Sequence, residues 1–160
     1  MIKLQKITSK NVWDILKLQV SVNQNNFVAN NIVSIIEAYT TITCNGHAFA
    51  FGIYKDEMPV GFLLIGFDCD DYWEDAPQIA KGNYNLWRLM IDKHHQGQGY
   101  GRKAVELALA FINTHPCGPA NYCWLSYEEE NNAARHLYQS FGFIETDEKD
   151  GNEIIAILQL

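Results

Sequence analysis

The stretch "RLMIDKHHQGQGYGRKA", Arg88 to Ala104, carries the reading of this chain. It leaves an apolar run, Asn85 to Ile91, that suits a buried strand. It then passes through Gly97, Gly99 and Gly101, set at alternate positions, and on to Arg102 and Lys103. From Tyr100 to Asn113 the residues Val105, Ala108, Leu109 and Ile112 fall at i, i+3, i+4 and i+7, which predicts an amphipathic helix. Strand, glycine turn and helix in this order aim backbone N–H groups and the positive end of a helix at one spot. Such a spot suits phosphate.

Working outward, Ile2 to Ile7 alternates apolar and polar residues and predicts a strand. Thr8 or Ser9 can cap a helix carrying Val12, Ile15, Leu16 and Val20. After a polar break at Asn23 to Asn26 comes a second helix, with Ile32, Ile35, Ile36 and Tyr39 as its apolar face. His47–Tyr54 and Val60–Phe67 read as strands joined by a turn at Lys55-Asp56-Glu57. An acidic loop runs from Asp68 to Gly82. Pro116, Gly118 and Pro119 end the helix after the glycines, Tyr122–Tyr127 is a further strand, and Asn131–Phe141 a further helix. Asp150-Gly151 marks a hairpin between Phe143–Glu148 and Ile154–Leu158. Strands mixed with helices in this order indicate an α/β (α+β) fold on one largely antiparallel sheet. With no repeat, linker or low-complexity tract, residues 1–160 read as a single domain.

Composition narrows the function. The chain is 48% hydrophobic and 19% charged, with a formal net charge of −7. A general nucleic-acid binder needs a basic face, so that class is excluded, whereas a cationic partner is accommodated. Cys44, Cys69, Cys117 and Cys123 include no C-x-x-C pair, and neither zinc nor a disulfide framework is expected. No stretch has the length and apolarity to span a bilayer, and the first residues lack a signal-peptide core, so a cytoplasmic protein with no membrane partner is expected.

Three phosphate-binding patterns compete for the glycine stretch. A P-loop would need G-x-x-x-x-G-K-[ST], which is absent. A dinucleotide fold would need G-x-G-x-x-G and an acid about 20 residues later. Here the glycines run G-x-G-x-G, and no Asp or Glu lies between Glu106 and Glu128. The remaining pattern is Gln-x-x-Gly-x-Gly, filled by Gln96, Gly99 and Gly101. Together with "NNAARHLYQSFGF", Asn131 to Phe143, it resembles the two signature motifs of the GNAT family of N-acetyltransferases, in the family's order. More narrowly, "VSVNQNNFVANNIVSIIEAY" (Val20 to Tyr39) and the opening stretch look similar to bacterial spermine/spermidine-type members.

The resemblance implies a mixed, largely antiparallel sheet of about six to seven strands with about four helices. It also implies acetyl-CoA as cosubstrate. By it, Gln96, Gly97, Gln98, Gly99, Tyr100, Gly101 and Arg102 hold the pyrophosphate, while Leu89, Met90 and Ile91 pair with the pantetheine arm and offer N–H groups to the oxyanion. Asn131 touches the cofactor, and its position also suits a helix cap. Tyr138 becomes the acid that protonates the leaving thiolate. From pattern alone it belongs to an apolar stripe with Ala134, Leu137 and Phe141, where a tyrosine is a core residue. His94 and His95 are expected to be exposed and receive no role.

Some members of the family this chain resembles carry a carboxylate base on the strand before the glycines. Here that strand has none, which leaves ordered water, Glu37 or Asp92 to take the proton. The acidic loop, with Asp68, Asp70, Asp71, Glu74 and Asp75 around Tyr72 and Trp73, either attracts a polycation or is simply solvated. Glu37, Asp71 and Trp73 are the candidate substrate contacts for a small cationic polyamine or diamine. Alternatives are another amine (a protein N-terminus, a lysine, an amine metabolite) or a sensor that binds acetyl-CoA without turnover. Strands at the C-terminal sheet edge leave a homodimer open.

Overall fold

In the computed structural model, which describes residues 1–160, the sheet is built outward from a long central hairpin. Its strands are β2 (His47–Lys55) and β3 (Met58–Phe67), turning at Asp56, whose φ is 55°. Strand β1 (Ile2–Lys6) lies antiparallel on β2, and β4 (Tyr84–Ile91) antiparallel on β3. Beyond β4 come β5 (Tyr122–Tyr127), β7 (Glu153–Gln159) and β6 (Ile144–Asp150), giving the order β1-β2-β3-β4-β5-β7-β6. Only β4 and β5 run parallel. Four helices cover the sheet: α1 (Val12–Leu16), α2 (Asn31–Thr43), α3 (Tyr100–Ile112) and α4 (Asn132–Gln139). The expected mixed sheet and helix number are thus present.

Strand β3 is buried on both faces, which explains its unbroken apolar run. Leu63 and Ile65 enter the main core with Phe51, Ile53, Leu86 and the buried α3 face of Ala104, Val105, Ala108 and Ile112. Phe62 and Leu64 enter a second core with Ile15, Ala38 and Met90, beneath α1 and α2. Each fully buried aliphatic side chain contributes about 1.5–3 kcal/mol, so the sheet is fastened from both sides.

Two irregularities in β4 position the site. Leu64 pairs with Arg88 and Ile65 with Leu86, so Trp87 bulges without a partner on β3. This puts Trp87 on the α2 side, while Leu86 and Leu89 serve the main core. On its other edge, β4 meets β5 only at Tyr84↔Cys123 and Asn85↔Trp124. The buried Tyr84 hydroxyl pins the approach to β5, donating to the Gly118 carbonyl at 2.9 Å and accepting from the Cys117 N–H at 3.0 Å. Past Asn85 the ladder stops, and the two strands part.

Three expectations are corrected. Helix α1 stops at Leu16 and does not reach Val20. The chain is drawn off to the end of β4, where the Gln19 N–H donates to Asp92 at 2.9 Å and the Lys93 N–H to the Gln19 carbonyl at 2.8 Å. Thr8 does cap the turn that leads into α1, its Oγ1 accepting from the Lys10 N–H at 3.2 Å and its carbonyl from the Val12 N–H at 3.0 Å, while the Thr8 N–H donates to Asn11 Oδ1 at 2.8 Å. Of the expected apolar face of α2 only Ile35 packs on the second core; Ile32, Ile36 and Tyr39 are turned outward, 53%, 57% and 69% exposed, while Asn31, Ser34 and Ala38 are buried. Small or hydrogen-bonded residues let this helix lie close to the sheet, and the Asn31 amide donates to the Ile15 carbonyl at 2.9 Å. The C-terminal hairpin turns at Gly151-Asn152, with Asp150 paired to Glu153, because Gly151 supplies the positive φ of 59°. The four cysteines are unpaired, and no helix is long and apolar enough to cross a membrane.

Candidate active site

The parting of β4 and β5 opens a cleft of about 660 Å³. Its floor is the β4 edge from Leu86 to Ile91. One edge of this segment is satisfied by β3, but the other has no strand partner, leaving alternate N–H and C=O groups open to an extended guest. The walls are the segment between α1 and α2 (Val20, Phe27 and Val28 among others), the glycine turn, and the start of α4.

In the glycine turn, Gly97 and Gly99 have φ of 74° and 76°, a left-handed backbone that disfavours any side chain. Gly99 is the N-cap of α3, and the first helical bond runs from the Lys103 N–H to the Gly99 carbonyl. Every backbone N–H from Gln96 to Arg102 therefore lacks an acceptor in the protein. A Cβ at Gly97 or Gly99 would meet nothing within 4 Å, so the space over these donors is open. A row of free N–H groups at a helix N-terminus, in open space beside a cleft, fits the diphosphate that the sequence leads one to expect.

Most of the expected donor-site residues come together: Leu89, Met90, Ile91, Gln96, Gly97, Gly99, Tyr100, Gly101, Asn131 and Tyr138 all line the cleft. The Gln96 side chain is a strut, donating to Gln24 Oε1 at 2.8 Å and to the Ile91 carbonyl at 3.0 Å. It binds the wall segment to the end of β4. Gln98 and Arg102 do not line the cleft. The Arg102 guanidinium instead reaches α4, donating to Ser140 at 2.8 Å and lying 4.8 Å over the Phe141 ring, so only its backbone faces the turn. Asn131 caps α4, accepting from the Ala134 N–H at 3.2 Å.

Tyr138 is a core residue at the edge of the cleft. Its ring is in the main core, stacked 6.0 Å from Tyr127 and edge-on to Phe143. Its residue still lines the cleft, and its hydroxyl has no hydrogen-bond partner within the protein. Burial, with smaller effects from Cys123 and Tyr127, holds its pKa far above the ordinary tyrosine value. The neighbouring Tyr127 is pushed up to about 12 by burial and by Glu145, to which its hydroxyl donates at 2.9 Å. Tyr138 therefore stays neutral.

A second depression, of about 390 Å³, lies between α2 and the acidic loop and shares Trp87 with the cleft. Glu37 and Trp73 line it, as do Asp68, Asp70 and Tyr72. Asp71 does not; it accepts from the Asn45 amide at 2.7 Å on the exposed side of the loop. Glu37 pairs with Arg88 at 3.1 Å, and the buried Arg88 Nε has no acceptor. Trp73 stacks on Trp124 at 6.3 Å.

Sequence reasoning missed Glu153, Ser126 and Trp87. Glu153 and Ser126 line the cleft from β7 and β5, with Ser126 Oγ donating to Glu153 at 2.5 Å. No local pattern marks them, because their meeting depends on how β7 pairs with β5. Aspartate 92 does not line the cleft. Burial alone would raise its pKa, but hydrogen bonds from the Gln19 and His94 N–H groups and the His94 ring hold it below the ordinary value. His94 is exposed as expected, whereas His95 is half-buried at the cleft wall.

Known proteins match this arrangement. The model of the acetyltransferase (GNAT) family matches residues 18–143. A probable spermine N(1)-acetyltransferase of Bacillus subtilis subsp. natto is 32% identical, over 94% of this chain and 93% of that protein. The spermine/spermidine N(1)-acetyltransferase of Bacillus subtilis strain 168 is 31% identical over the same shares. Among solved structures, spermidine N-acetyltransferase from Vibrio cholerae in complex with CoA and spermine superposes with a TM-score of 0.67 at 16% identity, over 99% of this chain and 94% of that one. At that identity the likeness concerns the fold.

Proposed function

Because this chain belongs to the GNAT family of acetyltransferases, whose cosubstrate is acetyl-CoA, we propose that it acetylates a primary amine of a small polyamine or diamine of the spermine/spermidine kind, by direct attack. The observation that carries the acceptor is the second depression. Asp68 and Asp70 there supply negative charge, Glu37 neutralises Arg88, Tyr72 and Trp73 supply aromatic faces, and Trp87 joins it to the cleft. Carboxylates attract the ammonium groups of a polycation, and aromatic rings cover its methylenes. The names of the Bacillus relatives favour the same acceptor class.

Acetyl transfer to an amine sets three tasks: freeing the amine lone pair, stabilising an oxyanion, and protonating a leaving thiolate. In this reading the N–H groups from Gln96 to Arg102 hold the diphosphate of acetyl-CoA, and the open β4 edge aligns its pantetheine arm. N–H groups near the end of β4 face the oxyanion, where one such donor contributes roughly 3–4 kcal/mol. Tyr138, kept protonated by burial, gives its proton to sulfur and regains one from the product nitrogen.

The test is release of CoA thiol from acetyl-CoA across a library of amines. Spermine and spermidine are expected to exceed matched monoamines by at least roughly tenfold in kcat/KM, about 1.4 kcal/mol of added recognition. Equal rates for monoamines would remove the polyamine acceptor.

A further inference from the structure

We infer that Glu153 is the catalytic group that takes the proton from the acceptor ammonium. This rests on the reading that the acceptor is an amine. Strand β4 offers no carboxylate from Asn85 to Ile91. Of the two acids that the sequence suggested, Glu37 is held by Arg88 on the side of the second depression, and Asp92 is spent on Gln19 and His94 outside the cleft. Glu153 is the one carboxylate that lines the cleft containing both the open β4 edge and Tyr138.

Its setting suits the task. Oε2 accepts from Ser126 Oγ, which fixes the carboxylate on the β5 wall, and Oε1 has no partner in the protein. The charged groups around it are few. Asp150 faces it across the hairpin register, and Asp150 in turn feels the charges of Glu153, Glu148 and Arg88, the last already paired to Glu37. Carboxylates outnumber the single guanidinium, a field that draws an ammonium inward.

The protons balance as follows in the reaction. The R–NH3⁺ group gives one proton to the Glu153 carboxylate, which passes it to solvent. The freed nitrogen pair forms the C–N bond, and the C–S bond breaks with its electron pair left on sulfur. A second proton from nitrogen reaches the thiolate by way of the Tyr138 hydroxyl, and the third stays on the amide. The products are R–NH–acetyl, CoA thiol and one released proton.

The experiment compares Glu153→Gln with wild type in the full chain, using spermidine and a weakly basic amine already uncharged at neutral pH. With spermidine, Glu153→Gln is expected to lose roughly 10²-fold or more of kcat/KM at neutral pH. The loss should shrink as pH rises toward the amine pKa of ~10, and should be small for the weakly basic amine. The KM for acetyl-CoA should stay put. Wild-type turnover by the variant, or one constant loss at every pH and for both amines, would overturn the assignment. Glu153→Asp keeps the charge and is expected to be the more active of the two variants; equal activity would count against a proton-accepting role. If wild type itself releases no thiol with any amine, the acetyl-transfer reading fails; wild-type turnover with an unaffected variant sinks only Glu153.

Discussion

The Arg88 guanidinium meets the Glu37 carboxylate at 3.1 Å, tying β4 to α2 where the cleft and the acidic depression share Trp87. The pair is partly exposed, so its contribution to stability is small. Its consequence is electrostatic: Glu37 cancels a cation on the path proposed for a polycation.

Removing that cancellation should show in substrate recognition. Glu37→Gln is expected to raise KM for spermidine roughly tenfold, about 1.4 kcal/mol, with KM for acetyl-CoA unchanged. A monoamine that never reaches the acidic depression should be affected far less. Steady-state kinetics on both acceptors decides it, and an equal rise for the monoamine would contradict the placement.

Tyr138 separates chemistry from packing, because its ring is in the core and its hydroxyl has no partner. Tyr138→Phe keeps the ring, so its melting temperature should stay close to that of wild type. Turnover should fall by roughly 10²–10⁴. Unchanged turnover would remove the hydroxyl from the mechanism.

The two glycines at 99 and 101 should behave oppositely in thermal melts of the free protein. Gly99→Ala forces a side chain into a φ of 76° and should cost about 1–2 kcal/mol. Gly101 lies in α3 with ordinary φ, and a Cβ there would make a normal 3.7 Å contact with Ile91. Gly101→Ala should melt at or above wild type, since Ala in a helix gains about 0.5–1 kcal/mol over Gly. The reverse order would count against the backbone account of this turn.

Asp92 ties the α1–α2 segment to the end of β4, and its pKa is held below the usual 3.8 despite burial. A depressed carboxyl stabilises the fold fully above its unfolded pKa and loses that contribution as pH falls through the folded value. Asp92→Asn should therefore cost about 1–3 kcal/mol at neutral pH. The gap in melting temperature from wild type should close as the solution is acidified below 3.8. A gap that stays constant would mean that charge is not what matters at this position.

Most strands and α3 were readable because period-2 and period-3.6 patterns record burial along a single element. Helix α2 misled because its most apolar stripe, Ile32, Ile36 and Tyr39, faces out, while Asn31 and Ser34 are buried by hydrogen bonding. Local hydrophobicity does not report how closely a helix approaches a sheet. Helix α1 was read too long because Gln19 is captured by Asp92, a contact between residues far apart in the chain.

The same division runs through the site. Gln96 to Arg102 could be read as an anion cradle from residue order alone, since glycine conformation and free N–H groups at a helix start are local properties of the backbone. The acceptor side is not local. Glu153 reaches the cleft only because β7 pairs with β5 in one register, and Glu37 meets Arg88 only because α2 lies across a bulged β4. The turn proposed to hold the donor is thus written in consecutive residues, whereas the proposed proton acceptor and the acidic depression exist only once distant strands and helices have packed.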